Sequence, residues 1–258
     1  MKIAGMSIVE IRALVEKMDE VSNDLLQLLT EDSRKGVQDL SRQILQKMER
    51  HRQLQDLWEE MSKPERTLRN QQRTHLFGID EVGRGPLAGP VVAAAVCLPA
   101  DFCLLGLNDS KKVPQAMREA FYEVIMRDAV AVGIGIVSSQ RIDEINILEA
   151  TREAMRQAVE AAGIVPAVCL IDAVHLPGLP YEQIAIIGGD GKSVSIAAAS
   201  IVAKVTRDRI MSEYALQYPQ YGFEKNAGYG TEEHLLALER FGPTPIHRYT
   251  FGGVKERA

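Results

Sequence analysis

The spacing of apolar positions changes near residue 64. Before it, Ile8, Ile11, Leu14 and Val15 keep helical spacing, as do Leu40, Ile44, Leu45 and Met48. The stretch from Thr30 to Gly36 reads as a break between helices, and Pro64 as a stop. Residues 7–62 are therefore predicted to form two or three helices. From Leu76 onward, apolar β-branched runs alternate with helical patterns. Strands are predicted at His75–Glu81, Pro90–Leu98, Val130–Val137, Ala167–Asp172 and Gln183–Ile187. Helices are predicted at Gln115–Arg127, Leu148–Ala162, Ser193–Tyr218 and Glu232–Phe241. A short Gly/Pro turn separates the first two strands and predicts an antiparallel hairpin. The later strands alternate with helices, which predicts parallel crossovers. The pattern is that of an α/β protein: a mixed β-sheet flanked by helices, with a small all-helical N-terminal extension. The division is expected at residues 1–73 and 74–258.

Composition agrees with that division. Before residue 64 there is no Tyr or Phe, one Trp (Trp58) and only Gly5 and Gly36, whereas Leu, Ile, Met, Glu, Lys, Arg and Gln dominate. Residues 1–75 carry 13 positive and 13 negative charges, so this part is not a basic arm. The whole chain has 258 residues and a formal net charge of −5, which argues mildly against a nucleic-acid binder but leaves room for a local basic groove. No apolar run reaches membrane-spanning length, and no signal-peptide pattern follows Met1-Lys2, so no membrane association is expected. Cys97, Cys103 and Cys169 form no CxxC pair and sit in or beside apolar runs; they read as reduced core thiols of a cytoplasmic protein.

The chemistry concentrates at strand ends. Asp80 and Glu81 close the first strand and open the turn Val82-Gly83-Arg84-Gly85-Pro86. Asp172 closes Val168-Cys169-Leu170-Ile171-Asp172, and Asp190 follows Ile186-Ile187-Gly188-Gly189. Carboxylates at strand ends converge on one sheet edge, where α/β proteins bind ligands. Four oxygen donors without His or Cys suit Mg²⁺ or Mn²⁺ rather than Zn²⁺. Taken alone, Asp190 before Gly191-Lys192-Ser193 reads as a turn residue. Asp80 and Glu81 are adjacent and should face opposite sides of a strand. They can share a site only if the strand ends or bulges there.

Gly83 and Gly85 let a backbone approach a ligand, and Arg84 offers a forked donor for phosphate or hydroxyl groups. Ser193 opens an Ala-rich helix whose N-terminus, with Lys192 beside it, is a natural phosphate site. Asn108-Asp109-Ser110-Lys111-Lys112 reads equally as a loop and as a contact to backbone phosphates. Lys204, Arg207 and Arg209 read as a solvated face. Two nucleotide motifs fail: Val91-Val92-Ala93 follows Gly83–Ala88 where a dinucleotide fingerprint needs a helix, and Ile186 occupies the first Gly position of a P-loop.

Together, Gly78–Val91, Asn108–Lys112, Leu170-Ile171-Asp172, Gly189–Ser193, Ile196–Lys204 with Arg207-Asp208, Gly228-Tyr229-Gly230-Thr231 and Pro245-Ile246-His247-Arg248 resemble bacterial ribonuclease HII over about residues 74–252. The resemblance implies a ribonuclease H-like fold. It implies hydrolysis of the RNA strand of RNA–DNA hybrids and incision at single ribonucleotides in duplex DNA, as in ribonucleotide and primer removal. By motif position, Asp80, Glu81, Asp172 and Asp190 are the family's metal-binding acids, serving two divalent ions. Gly83, Arg84 and Gly85 are its sensor of the ribose 2′-hydroxyl, and Tyr229 packs on the neighbouring deoxyribose. Lys111, Lys112, Lys192 and Ser193 complete the expected substrate contacts. Ala173 stands where Gly is frequent, and Ala227 where Lys is frequent.

Water is a poor nucleophile at neutral pH, and the phosphodiester is anionic. A two-metal displacement answers both problems and would leave 5′-phosphate and 3′-hydroxyl ends. Ribonuclease HIII is the nearest alternative, but it typically has Lys where Arg84 stands. A non-catalytic hybrid-binding module is a second alternative, which the four intact acids disfavour. Gln53-Leu54-Gln55-Asp56-Leu57-Trp58 weakly resembles a sliding-clamp-binding peptide, but its reading as part of an amphipathic helix is favoured. Arg66, Arg69 and Arg73 are candidate duplex contacts for the N-terminal helices. A monomer is expected.

Overall fold

Ser7 accepts from the Glu10 N–H while the Glu10 carboxylate accepts from the Ser7 N–H, and this reciprocal cap starts α1 (Ile8–Glu16). Ser22 caps α2 (Asn23–Thr30) in the same way from its side. The break expected at Thr30–Gly36 is present, and α3 (Lys35–Met61) follows it. The structure, a computed structural model, describes residues 3, 5–18 and 21–257. It divides into two units, Met1–Leu57 and Trp58–Ala258. The first has its own core, with Ile11, Leu25, Leu29 and Val37 buried together. Among the described residues, no helix is long and apolar enough to cross a membrane.

Pro64 does not end the helical region. It sits in the first turn of α4 (Lys63–Asn70), where a missing N–H costs nothing. Residues 58–73, placed with the extension by composition, lie in the second unit. Leu68 packs in a cluster with Leu76, Val168, Leu170 and Ile196. Arg66, Arg69 and Arg73 each have a partner within this unit. Arg66 donates to the Glu59 carbonyl, Arg69 to the Leu98 carbonyl (3.0 Å), and Arg73 pairs with Glu182 (2.9 Å).

The second unit is built on one mixed sheet. Its strands are β1 (Leu76–Val82), β2 (Val91–Cys97), β3 (Ala131–Val137), β4 (Val168–Asp172) and β5 (Glu182–Ile186), in the order β3-β2-β1-β4-β5. β1 and β2 form the expected antiparallel hairpin. β3 departs from the expected parallel crossover. Although α5 (Gln115–Asp128) intervenes, β3 runs antiparallel to β2. β4 is parallel to β1, reached through α6 (Ser139–Ile145) and α7 (Ile147–Ala161). β5 is parallel to β4 with no helix between them.

Each face of the sheet carries a helix. Phe77 and Ile79 of β1 pack with Ala154 and Met155 of α7. The opposite face takes α8 (Val194–Gln217), which crosses β1 so closely that a Cβ at Gly78 would lie 1.9 Å from the Ser195 carbonyl carbon. Short α9 (Phe223–Asn226) and α10 (Glu232–Phe241) close a third core around Tyr221, Phe223 and Leu238. Cys97 and Cys169 are buried as expected, but Cys103 is exposed, because it lies in the irregular segment after β2.

Candidate active site

β1 outruns its parallel neighbour. Its ladder with β4 ends at Ile79↔Ile171, whereas its antiparallel ladder with β2 continues unbroken through Asp80↔Ala94, Glu81↔Ala93 and Val82↔Val92. There is no bulge at the acidic pair. The two carboxylates instead stand past the end of the β1–β4 ladder, where the sheet opens, with Asp172 ending β4 beside them.

Asp80 is buried on the α8 side of the sheet. Its Oδ1 accepts from the Glu81 N–H at 2.8 Å. Burial pushes its carboxyl well above the usual carboxylate range, and the charges of Glu81 and Asp172 add to this. Burial also raises Glu81, with Asp172 contributing and Arg84 opposing from 3.4 Å. Asp190 lies in a 3-10 turn, Gly189–Gly191, after β5. Burial raises it too, followed by the charges of Asp109 and Asp172, while Lys111 opposes. β1, β4 and β5 run parallel, with ladders ending at Ile79↔Ile171 and Asp172↔Ile186, so all four acids lie at the same end of the sheet.

Asp172 Oδ1 accepts from the Gly189 N–H at 2.8 Å, tying β4 to the turn that carries Asp190. The donor set fits a hard divalent cation. It is all oxygen, and Glu81 Oε2 is buried with no hydrogen-bond partner. Among the described residues, no three acidic, imidazole or thiol groups close around one point at ligand distance. The carboxylates repel one another, and Asp80 and Asp172 each turn an oxygen to a backbone N–H.

Gly83 continues from β1 with φ +92°; a Cβ there would stand 2.3 Å from Arg207 Nε and 2.7 Å from the Pro90 carbonyl. Arg84 and Gly85 are exposed. Tyr229 flanks them: a Cβ on Gly85 would lie 3.5 Å from its ring, which is about half exposed. Arg84, Gly85 and Tyr229 therefore form one surface beside Glu81, while Gly83 is buried. Lys111 acts on Asp190, and Lys112 Nζ would stand 3.7 Å from a Cβ on Gly191, so this loop borders the acids.

Two expected substrate contacts are placed otherwise. Ser193 is fully buried; its hydroxyl donates to Glu65 Oε1 at 2.5 Å, and the same oxygen accepts from the Ser195 N–H at 2.9 Å. The anion position at the α8 N-terminus is thus filled by the chain's own carboxylate, which corrects the reading of Ser193 and this helix end as a phosphate site. Lys192 is turned to the Ile187 carbonyl at 2.7 Å.

Sequence reasoning also missed several supporting groups. Arg207, read as part of a solvated face, is completely buried and donates to the carbonyls of Pro90, Ala88 and Ala227. Arg248 is equally buried. The Ser200 hydroxyl donates to Ser110 at 3.0 Å, linking α8 to the Asn108–Lys112 loop. Arg207 and Arg248 leave a faint sequence signal, since each lies in a segment that carries the family resemblance, Arg207-Asp208 and Pro245-Ile246-His247-Arg248.

The ribonuclease HII family model matches residues 77–254, and the model of the ribonuclease HII N-terminal domain matches residues 7–69. Ribonuclease HII of Bacillus cereus strain Q1 is 50% identical over 97% of this chain and 97% of its own. Among solved structures, ribonuclease H2 of Pyrococcus horikoshii aligns with a TM-score of 0.60 and 27% identity, over 71% of this chain and 97% of that one. Ribonuclease HII of Archaeoglobus fulgidus, solved in complex with PCNA, aligns with a TM-score of 0.59 and 26% identity, over 69% and 95%.

Proposed function

Because the chain belongs to the ribonuclease HII family, we propose that it hydrolyses the RNA strand of RNA–DNA hybrids and incises duplex DNA on the 5′ side of a lone ribonucleotide. The observation that carries this reading is the gathering of Asp80, Glu81, Asp172 and Asp190 at one sheet edge, beside the exposed Arg84-Gly85 backbone and Tyr229. The four acids would hold two divalent ions, Mg²⁺ or Mn²⁺. When bound, such ions supply an activated water and stabilise charge on the leaving oxygen.

The chain's own residues supply recognition. Only the 2′-hydroxyl distinguishes a ribonucleotide from its neighbours in a duplex, and it can accept a hydrogen bond from an outward-facing N–H. The peptide units at residues 83–85 present such groups, and Arg84 offers a cation for the adjoining phosphate. Tyr229 lies against Gly85, where its ring would pack on the next sugar and hold the junction in register. Lys111 and Lys112 would meet backbone phosphates next to Asp190. Ser193 has no part in this, because Glu65 occupies it.

The N-terminal helices would act as an accessory unit for the substrate. The candidate clamp peptide, residues 53–58, lies within continuous α3. Binding a clamp in extended form would require that helix to unwind, so the fold favours its helical reading. The nuclease reading is tested with an end-labelled duplex containing one ribonucleotide, incubated with Mg²⁺, Mn²⁺ or EDTA. Metal-dependent incision leaving a 3′-hydroxyl upstream and a 5′-phosphate on the ribonucleotide is expected. Tight binding without cleavage in either metal would favour a non-catalytic hybrid-binding module.

A further inference from the structure

Arg248 and Arg207 are buried cations with no carboxylate paired to either among the described residues. A charge taken from water in this way must be matched by other dipoles. Here backbone carbonyls of one loop supply them. Arg248 Nη1 donates to the Arg84 carbonyl at 2.9 Å, Nη2 to the carbonyls of Gly83 and, at 2.8 Å, Gly89, and Nε to Gly89 at 3.0 Å. Its guanidinium also lies 5.0 Å from the centre of the Phe251 ring, and its N–H donates to the Leu87 carbonyl at 2.9 Å. Arg207 holds the far end of the loop, at Ala88 and Pro90, together with Ala227.

The consequence follows from peptide geometry. A trans peptide is planar, and its C=O and N–H point in opposite directions. With the Gly83 and Arg84 carbonyls turned inward to Arg248, the N–H groups of Arg84 and Gly85 must face outward. Both residues are exposed, and among the described residues neither N–H meets an acceptor.

We infer that Arg248 is a specificity-determining positioning residue: by gripping the Gly83 and Arg84 carbonyls, it aims the Arg84 and Gly85 N–H groups at the 2′-oxygen of a ribonucleotide. The inference rests on the proposed nuclease reading and concerns how that reading is realised. The guanidinium fork is essential, because a lysine ammonium is a point charge that cannot span several carbonyls in one plane.

The test compares duplexes carrying one ribonucleotide or one 2′-fluoro nucleotide at the same position. Organic fluorine accepts hydrogen bonds poorly, so the ratio of kcat/KM values reports the N–H contacts. Arg248→Lys is expected to lower this ratio about tenfold, the worth of roughly one hydrogen bond. Its dependence on Mn²⁺ concentration should not move. Leu68→Ala, which truncates a core side chain packed with Leu76 and Val168 rather than against this loop, should lower stability yet keep the ratio within about twofold. A ratio unchanged in Arg248→Lys, or equally reduced in both variants, overturns the inference. Failure of the wild-type protein to cleave the ribonucleotide duplex would instead sink the nuclease reading itself. If Arg248→Lys shows no cooperative melt, amide exchange in the wild-type protein decides. The Arg84 and Gly85 amides should be protected by a ribonucleotide-containing duplex in EDTA and not by the all-DNA duplex. Equal protection by the two duplexes overturns the inference.

Discussion

Glu65 makes the position of an N-terminal truncation decisive. Its carboxylate closes the α8 N-terminus through Ser193 and Ser195, and three residues later Leu68 enters the cluster beneath β1 and β4. Removing residues 1–57 leaves both contacts in place; removing residues 1–70 deletes both. Burial of a leucine side chain is worth about 2 kcal/mol. The two hydrogen bonds to a charged acceptor are worth about 2–3 kcal/mol together, once water replaces part of the loss. The longer deletion should therefore cost about 4–5 kcal/mol relative to the shorter one, a large share of the roughly 5–15 kcal/mol that stabilises a domain. Urea denaturation of the two truncated proteins measures the difference directly. Glu65→Ala in the full chain isolates the hydrogen-bonded part and should cost about 2 kcal/mol. Equal midpoints for the two truncations would refute the reasoning and show that α8 keeps its start without α4.

Two further predictions concern the scaffold. Ala173 follows Asp172 with φ +50°, a left-handed conformation that costs a non-glycine residue about 1 kcal/mol. Ala173→Gly should therefore raise stability by about 0.5–1 kcal/mol, read as a higher urea midpoint, and a fall would show the strain is absent. His247 accepts from the Thr244 N–H at 2.8 Å through Nδ1, so its Nε2–H donates to His234 Nε2 at 2.9 Å, and His234 Nδ1–H reaches the Tyr229 carbonyl at 2.9 Å. Burial, with His234 adding, pushes His247 down to about 4. The unfolded chain then binds more protons than the folded one between that value and about pH 6.5, so this contribution is complete above the window and is lost as pH falls through it. His247→Asn should flatten the loss of stability between pH 7 and pH 4.5, and an unchanged slope would contradict the assignment.

The strands were legible because each is a short apolar run ending in a turn or an acid. Directions were less so. α5 stands between β2 and β3, which nevertheless pair antiparallel, and nothing but a loop joins parallel β4 and β5. A helix between two strands permits a crossover without imposing one. α4 and α6 escaped notice because short polar helices carry little periodicity. The four acids could be read from their place at strand ends. Glu65 against Ser193 and Arg248 against Gly83 could not, because 128 and 165 residues separate the partners and nothing local marks either pair. Lys204, Arg207 and Arg209 are alike as cations of one helix, and residue type alone does not separate them. Only the packing of residues 83–90 over α8 shows that Arg207 is the one turned inward.

The proposed role of the acids at the end of β1 and β4 is to hold the metal ions of a ribonucleotide-directed nuclease. Asp80→Asn tests it most directly, since Asp80 is the most buried of the four and couples to both Glu81 and Asp172. The amide keeps the shape and loses the charge. Wild-type protein and variant are compared on one duplex with a single embedded ribonucleotide, in Mg²⁺ and in Mn²⁺, with the melting temperature and duplex affinity of each recorded. The variant is expected to fold and bind the duplex as the wild type does while incision is abolished. Near-normal incision by a folded Asp80→Asn protein would contradict it.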